Sequence, residues 1–92
     1  MTPQDLARAA DICNEPGRVR QAIRDAASAT GISTADILGR SRLRPISHAR
    51  QLAMHMAHEA GAPCTQIARV FKRHHTTIIH GVRAEAARRA AE

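Results

Sequence analysis

Apolar residues recur along this chain at intervals of three and four, and they never alternate with polar ones long enough to suggest a strand. Val19, Ile23, Ala26 and Ala27 make one apolar face and predict a helix over 18–30, with Gly31 as its stop. Ser33-Thr34-Ala35-Asp36 reads as a capping box with Asp in place of Glu. It opens one short turn that carries Ile37 and Leu38 and closes at Gly39. Ala49, Leu52, Ala53, Met56, Ala57 and Ala60 keep the 3.6-residue period through a long helix, which Ser47 is expected to cap and Gly61-Ala62-Pro63 ends. His48, Arg50, Gln51, His55, His58 and Glu59 fall on the other faces of that helix. Just before it, the Arg-rich segment 40–45 is expected to be an exposed loop, because Pro45 cannot continue a helix.

The two ends of the chain extend the pattern. Thr2-Pro3 reads as an N-cap followed by Pro at the first helical position, opening a helix to about Cys13. Asn14-Glu15-Pro16-Gly17 breaks it. Toward the C-terminus, a short helix with Ile67, Ala68 and Phe71 inward is followed by a three-residue turn. A second helix over 75–88 then carries Ile78, Ile79 and Val82 inward, which together make a helix-turn-helix. The tail 84–92 is uncapped and is expected to fray. The fold expected is therefore all-α: a helix-turn-helix bundle of about five to six helices. Residues 1–17 are expected to form an N-terminal helix and breaker, and 18–92 the helix-turn-helix module.

Charge sharpens the expected function. The formal net charge is +6 and the pI about 11.3, and every basic residue except Lys72 is Arg. The guanidinium fork suits phosphates and guanine edges, although an Arg- and Ala-rich chain also follows from a GC-rich genome. Phe71 is the only aromatic residue, which argues against modules that stack single-stranded bases on aromatic platforms. No stretch approaches the roughly 20 apolar residues of a membrane span, and no apolar signal core opens the chain. Cys13 and Cys64 read as reduced, buried thiols of a cytoplasmic protein, with a disulfide between them left open. The six histidines complete no familiar metal-ligand set, and neither cysteine lies in a nucleophile motif. No cofactor, small-molecule substrate or enzymatic activity is expected.

The most informative stretch is Lys72 to Gly81, where the second helix of the helix-turn-helix begins. Arg73, His74, His75, Thr76 and Thr77 place hydrogen-bonding side chains at a helix N-terminus, whose free N–H groups and dipole favour an anion. Residues 19–83 resemble the C-terminal DNA-binding domain of the bacterial replication initiator DnaA. Three stretches carry the likeness: Ala35-Asp36-Ile37-Leu38 with the Arg-rich loop after it, Ala49-Arg50-Gln51-Leu52-Ala53-Met54, and His75-Thr76-Thr77-Ile78-Ile79-His80. The resemblance implies that Arg42, flanked by Arg40 and Arg44, enters the minor groove of duplex DNA. It implies that Arg50 and Gln51 hold phosphates, that His75 and Thr76 face base edges, and that Thr77 and His80 contact the backbone. Thr65, Arg73, His74 and Arg83 complete the expected set of DNA-contacting side chains.

Departures from the family pattern bear on specificity. His74 stands where the family usually carries Asp, so an acidic base reader has become a neutral or cationic donor. His58 stands where Lys is frequent, and the loops at 61–63 and 72–74 are slightly shorter than the family's. The sequence contains no GxxxxGK[ST] phosphate loop. It therefore reads as a free-standing DNA-reading module, acting as a cytoplasmic, nucleoid-associated transcription regulator of a phage, prophage or related element. One rival is a replication modulator that competes for initiator boxes. Another is a protein-interaction module that has lost DNA binding. A homodimer, or a transcription or replication protein as partner, fits a module with a single recognition helix.

Overall fold

The computed structural model describes residues 17–91, all of whose regular elements are helices. The N-terminal helix expected over 3–13, together with Cys13, lies outside the described residues. In chain order the helices are α1 (Gly17–Thr30), α2 (Thr34–Leu38), α3 (Arg44–Glu59), α4 (Cys64–Phe71) and α5 (His75–Ala91). The fold is the all-α helix-turn-helix bundle that the periodicity predicts.

Each boundary has a local cause. Gly31 sits at φ +75°, and its N–H donates to Ala27 O at 2.8 Å, closing α1 through the left-handed backbone that glycine tolerates. Ser33 caps α2 as expected, its Oγ accepting the Asp36 N–H at 3.1 Å. Helix α4 begins without a side-chain cap, and Pro63 O takes the N–H groups of Gln66 and Ile67. Lys72 ends α4 at φ +55°, and both its N–H and that of Arg73 turn back to Ala68 O.

Two boundaries differ from expectation. Helix α3 starts at Arg44, ahead of Ser47, and its N-cap Leu43 makes no side-chain cap bond. Pro45 occupies the first turn, where a missing N–H costs nothing, so proline begins this helix rather than excluding it. Arg44 consequently belongs to α3 and not to the loop. The expected fraying from 84 onward is also absent: α5 runs to Ala91, and Glu85 pairs with both Arg88 and Arg89 one turn on.

Helix α3 is the hub. Its most extensive packing is against α1 and α5, with α2 and α4 completing the surround. Ala49, Ala53 and Ala57 recur every four residues and are fully or almost fully buried, small enough to let a neighbouring helix approach closely. Val19, Ile23, Ile37, Ile67, Phe71 and Ile78 belong to the same buried cluster. Leu52 and Met56 are half-buried at the rim of the core and Met54 is buried, while Ala60 is exposed. Arg50 and His55, expected on the outer faces, are buried as well. A helix packed on several sides buries a wider arc than the single stripe that periodicity detects.

Gly81 on α5 lies directly against Met54 of α3. A Cβ built there would lie 2.5 Å from Met54 Sδ, and Met54 is itself 2 % exposed. A helix-interior Gly→Ala change normally adds about 1 kcal/mol of stability, whereas overpacking costs about 1–3 kcal/mol. Gly81→Ala should therefore lower the melting temperature by a few degrees, as read by circular dichroism. A raised melting temperature would show that Met54 repacks freely.

Candidate nucleic-acid interface

Loop 39–43 is held from two sides by arginines. Arg50, on α3, donates from Nε to Ile37 O at 2.7 Å, from Nη1 to Ser41 O at 2.9 Å and from Nη2 to Asp36 O at 3.1 Å. One guanidinium thus satisfies carbonyls at the end of α2 and in the loop beyond it. Arg73, from the turn of the helix-turn-helix, donates from Nη2 to Gly39 O at 2.7 Å. The loop is therefore tied to both the long helix and the recognition element. Within the loop, Ser41 Oγ accepts the Leu43 N–H at 3.3 Å.

This arrangement crowds like charges. Burial, and then the nearby Arg73, push the Arg50 guanidinium below the ordinary arginine range. Burial, and then Arg40, do the same to Arg73. Both remain cationic, since arginine is effectively never deprotonated in a protein. Arg40, Arg42, Arg50, Lys72 and Arg73 line one cleft of about 500 Å³ between the loop and the turn, and no carboxylate lines it. Five cations without a counter-charge make an attractive field for an anion.

The recognition helix adjoins this cleft. His75, Thr76, Thr77 and His80 are all exposed on the first two turns of α5. His74 caps that helix: Thr76 N–H donates to His74 Nδ1 at 3.2 Å, and Thr76 Oγ1 lies 2.8 Å from the same nitrogen. The His74 O also accepts the Thr77 N–H at 3.0 Å. A second groove, between α3 and α5, is lined by Arg50, Gln51, Arg73, Thr77 and His80 among others. Gln51 is half-buried there, and its Oε1 has no hydrogen-bond partner among the described residues.

The fold thus gathers Arg40, Arg42, Arg50, Gln51, Arg73, Thr77 and His80 around two adjoining clefts, with His74, His75 and Thr76 at the start of the same helix. Arg44, Thr65 and Arg83 are exposed but line neither cleft. Three polar lining residues, Ser41, Ser47 and Lys72, are absent from the set expected from the sequence. Ser47 was read as a helix cap and instead lines both clefts. Lys72 was passed over as a turn residue, although a cation at the pivot of a helix-turn-helix was a usable signal. Arg50 occupies a different place from the one its sequence position suggests. It is 7 % exposed, and three of its five N–H groups are already committed to backbone carbonyls.

Helices α4 and α5, the tight turn between them and the adjoining carboxylate-free cleft define a helix-turn-helix nucleic-acid-binding domain. The chain belongs to the bacterial DnaA protein helix-turn-helix family, whose model matches residues 19–84. It is 38 % identical over 69 residues to chromosomal replication initiator protein DnaA 2 of Protochlamydia amoebophila (strain UWE25). That match covers 74 % of this chain and 15 % of the initiator. No solved structure is matched.

The brace made by Arg50 has a measurable consequence. Arg50→Ala should cost about 2–4 kcal/mol, because one buried and two part-buried carbonyls lose this donor together. Arg50→Lys should rescue little, since a single ammonium cannot span three carbonyls in the geometry of the guanidinium fork. Thermal melts, with hydrogen exchange of the 39–43 amides, read both effects. Unchanged melting alongside weakened, less salt-dependent DNA binding would make Arg50 a phosphate contact instead.

Proposed function

We propose that this domain binds double-stranded DNA with sequence preference and acts as a transcription regulator. The N-terminal turns of α5 read the major groove, and Arg42 on the 40–44 segment enters the minor groove beside it. The single observation that carries this reading is the five-cation cleft without a carboxylate, set beside the exposed His75, Thr76, Thr77 and His80. A duplex supplies phosphates for the first and base edges for the second. Burial, and then the nearby Arg40, hold the Arg73 guanidinium below the ordinary arginine range, and an entering phosphate would offset that like-charge repulsion.

Arg50 contributes by fixing the position of the loop, Arg73 lines both clefts, and Gln51 lines the one between α3 and α5. Arg44, Thr65 and Arg83 are exposed and extend the basic and polar margin of the same module. A second reading is favoured by the similarity to a replication initiator: the domain would compete for initiator boxes and modulate replication.

Fluorescence anisotropy at two salt concentrations separates these readings. The duplexes are an initiator box, a site selected from a random library and a scrambled control. Preference for the initiator box supports the replication role, and preference for a different selected site supports a dedicated regulator. Absence of salt-dependent binding to every duplex overturns both. Thr76→Ala should cost about 1–3 kcal/mol on the preferred site and relax specificity there. Equal losses on specific and scrambled DNA would show that Thr76 reads no base. Arg42→Ala should flatten the salt slope by about 1 unit of log K per log salt and weaken binding most at A·T-rich flanks.

A further inference from the structure

The tautomer of His74 follows from its hydrogen-bond partners. A backbone N–H can only donate, so the Thr76 N–H at 3.2 Å requires a lone pair on His74 Nδ1. The Thr76 hydroxyl, 2.8 Å from the same nitrogen, must then also present its hydrogen. Nδ1 is thereby assigned as acceptor, and a neutral imidazole with that assignment carries its proton on Nε2. His74 is exposed, and Nε2 makes no hydrogen bond among the described residues. The ring also lies against His75, with centroids 4.3 Å apart and planes inclined by 32°, so its orientation is held from a second side.

Resting on the DNA-binding reading above, we propose that His74 is a specificity-determining residue that offers a single, oriented Nε2–H donor to a major-groove acceptor. Its Nδ1 holds the recognition helix start, and its Nε2 faces the base next to the one read by Thr76. Guanine suits this donor best, because its major-groove edge carries only acceptors, O6 and N7. Cytosine suits it worst, because its edge presents the N4 amino donors. One imidazole thus joins helix capping to base choice, and the capping bond selects the tautomer that can read guanine.

Two experiments test this independently. Proton–nitrogen correlation NMR of the free protein, in mildly alkaline buffer, should show His74 protonated at Nε2 and bare at Nδ1; the opposite tautomer overturns the proposal. Site selection from a random duplex library should then compare the unmodified protein with His74→Asp. Aspartate is itself a preferred N-cap, so that variant keeps the helix start, which a thermal melt confirms. At one position, the unmodified protein should favour guanine over cytosine by about fivefold, the value of one net hydrogen bond. His74→Asp should reverse that preference, since a carboxylate only accepts. Identical selected sites for the two proteins would show that His74 caps the helix without reading a base. Selection of no site by the unmodified protein would overturn the DNA-binding reading itself, and the His74 proposal with it.

Discussion

The arrangement of the basic surface depends on one buried guanidinium. Helix α2 is only five residues long and leaves several carbonyls without helical partners, and the loop after it has little regular hydrogen bonding of its own. Arg50 meets both needs, reaching Asp36, Ile37 and Ser41 from the central helix. An apolar residue in its place would take this donor from the Ile37 and Ser41 carbonyls and leave Asp36 O with the Gly39 N–H alone, and a lysine would satisfy them only in part. The loop that carries Arg40 and Arg42 is therefore positioned from within, and Arg73 then fastens it to the turn of the helix-turn-helix.

That solution has an electrostatic cost. Burial, and then the like charge of a neighbouring arginine, hold the guanidinium groups of Arg50 and Arg73 below the ordinary arginine range, and no carboxylate lines the cleft they share with Arg40. Stability alone would favour a nearby Asp or Glu. Glu85, which pairs with Arg88 and Arg89 on α5, and Glu59, beside His55 on α3, both lie outside that cleft. Uncompensated charge beside a helix N-terminus is what the proposed function asks for, because a duplex brings its own anions. The same separation of duties runs through the arginines: Arg50 and Arg73 spend their donors on the protein, while Arg42 stays exposed.

Much of the architecture was legible in the chain. The face of Val19, Ile23 and Ala26, the Ser33 cap, the stop at Gly31 and the helix-turn-helix around Ile67, Phe71 and Ile78 are all local signals, and each is found where it was expected. The errors came where two readings of one residue compete. Pro45 breaks a helix interior yet suits a first turn, and only the position of the preceding chain decides between them. Ser47 is a good capping residue, but α3 already starts upstream of it. Arg50 is the sharpest case. A charged residue beside an apolar stripe reads as exposed, and nothing local reveals three carbonyls arriving from residues nine to fourteen positions earlier.

The sequence by itself determined the helical content, the order of the elements and the residues that begin the recognition helix, because capping, helix propensity and periodicity act over a few neighbouring positions. The tertiary structure alone decided which arginines face solvent and which are consumed as braces. Those outcomes depend on where separate helices and loops come to rest against one another, and the hydrogen-bonding partner of a long polar side chain is set by that placement rather than by its neighbours in the chain.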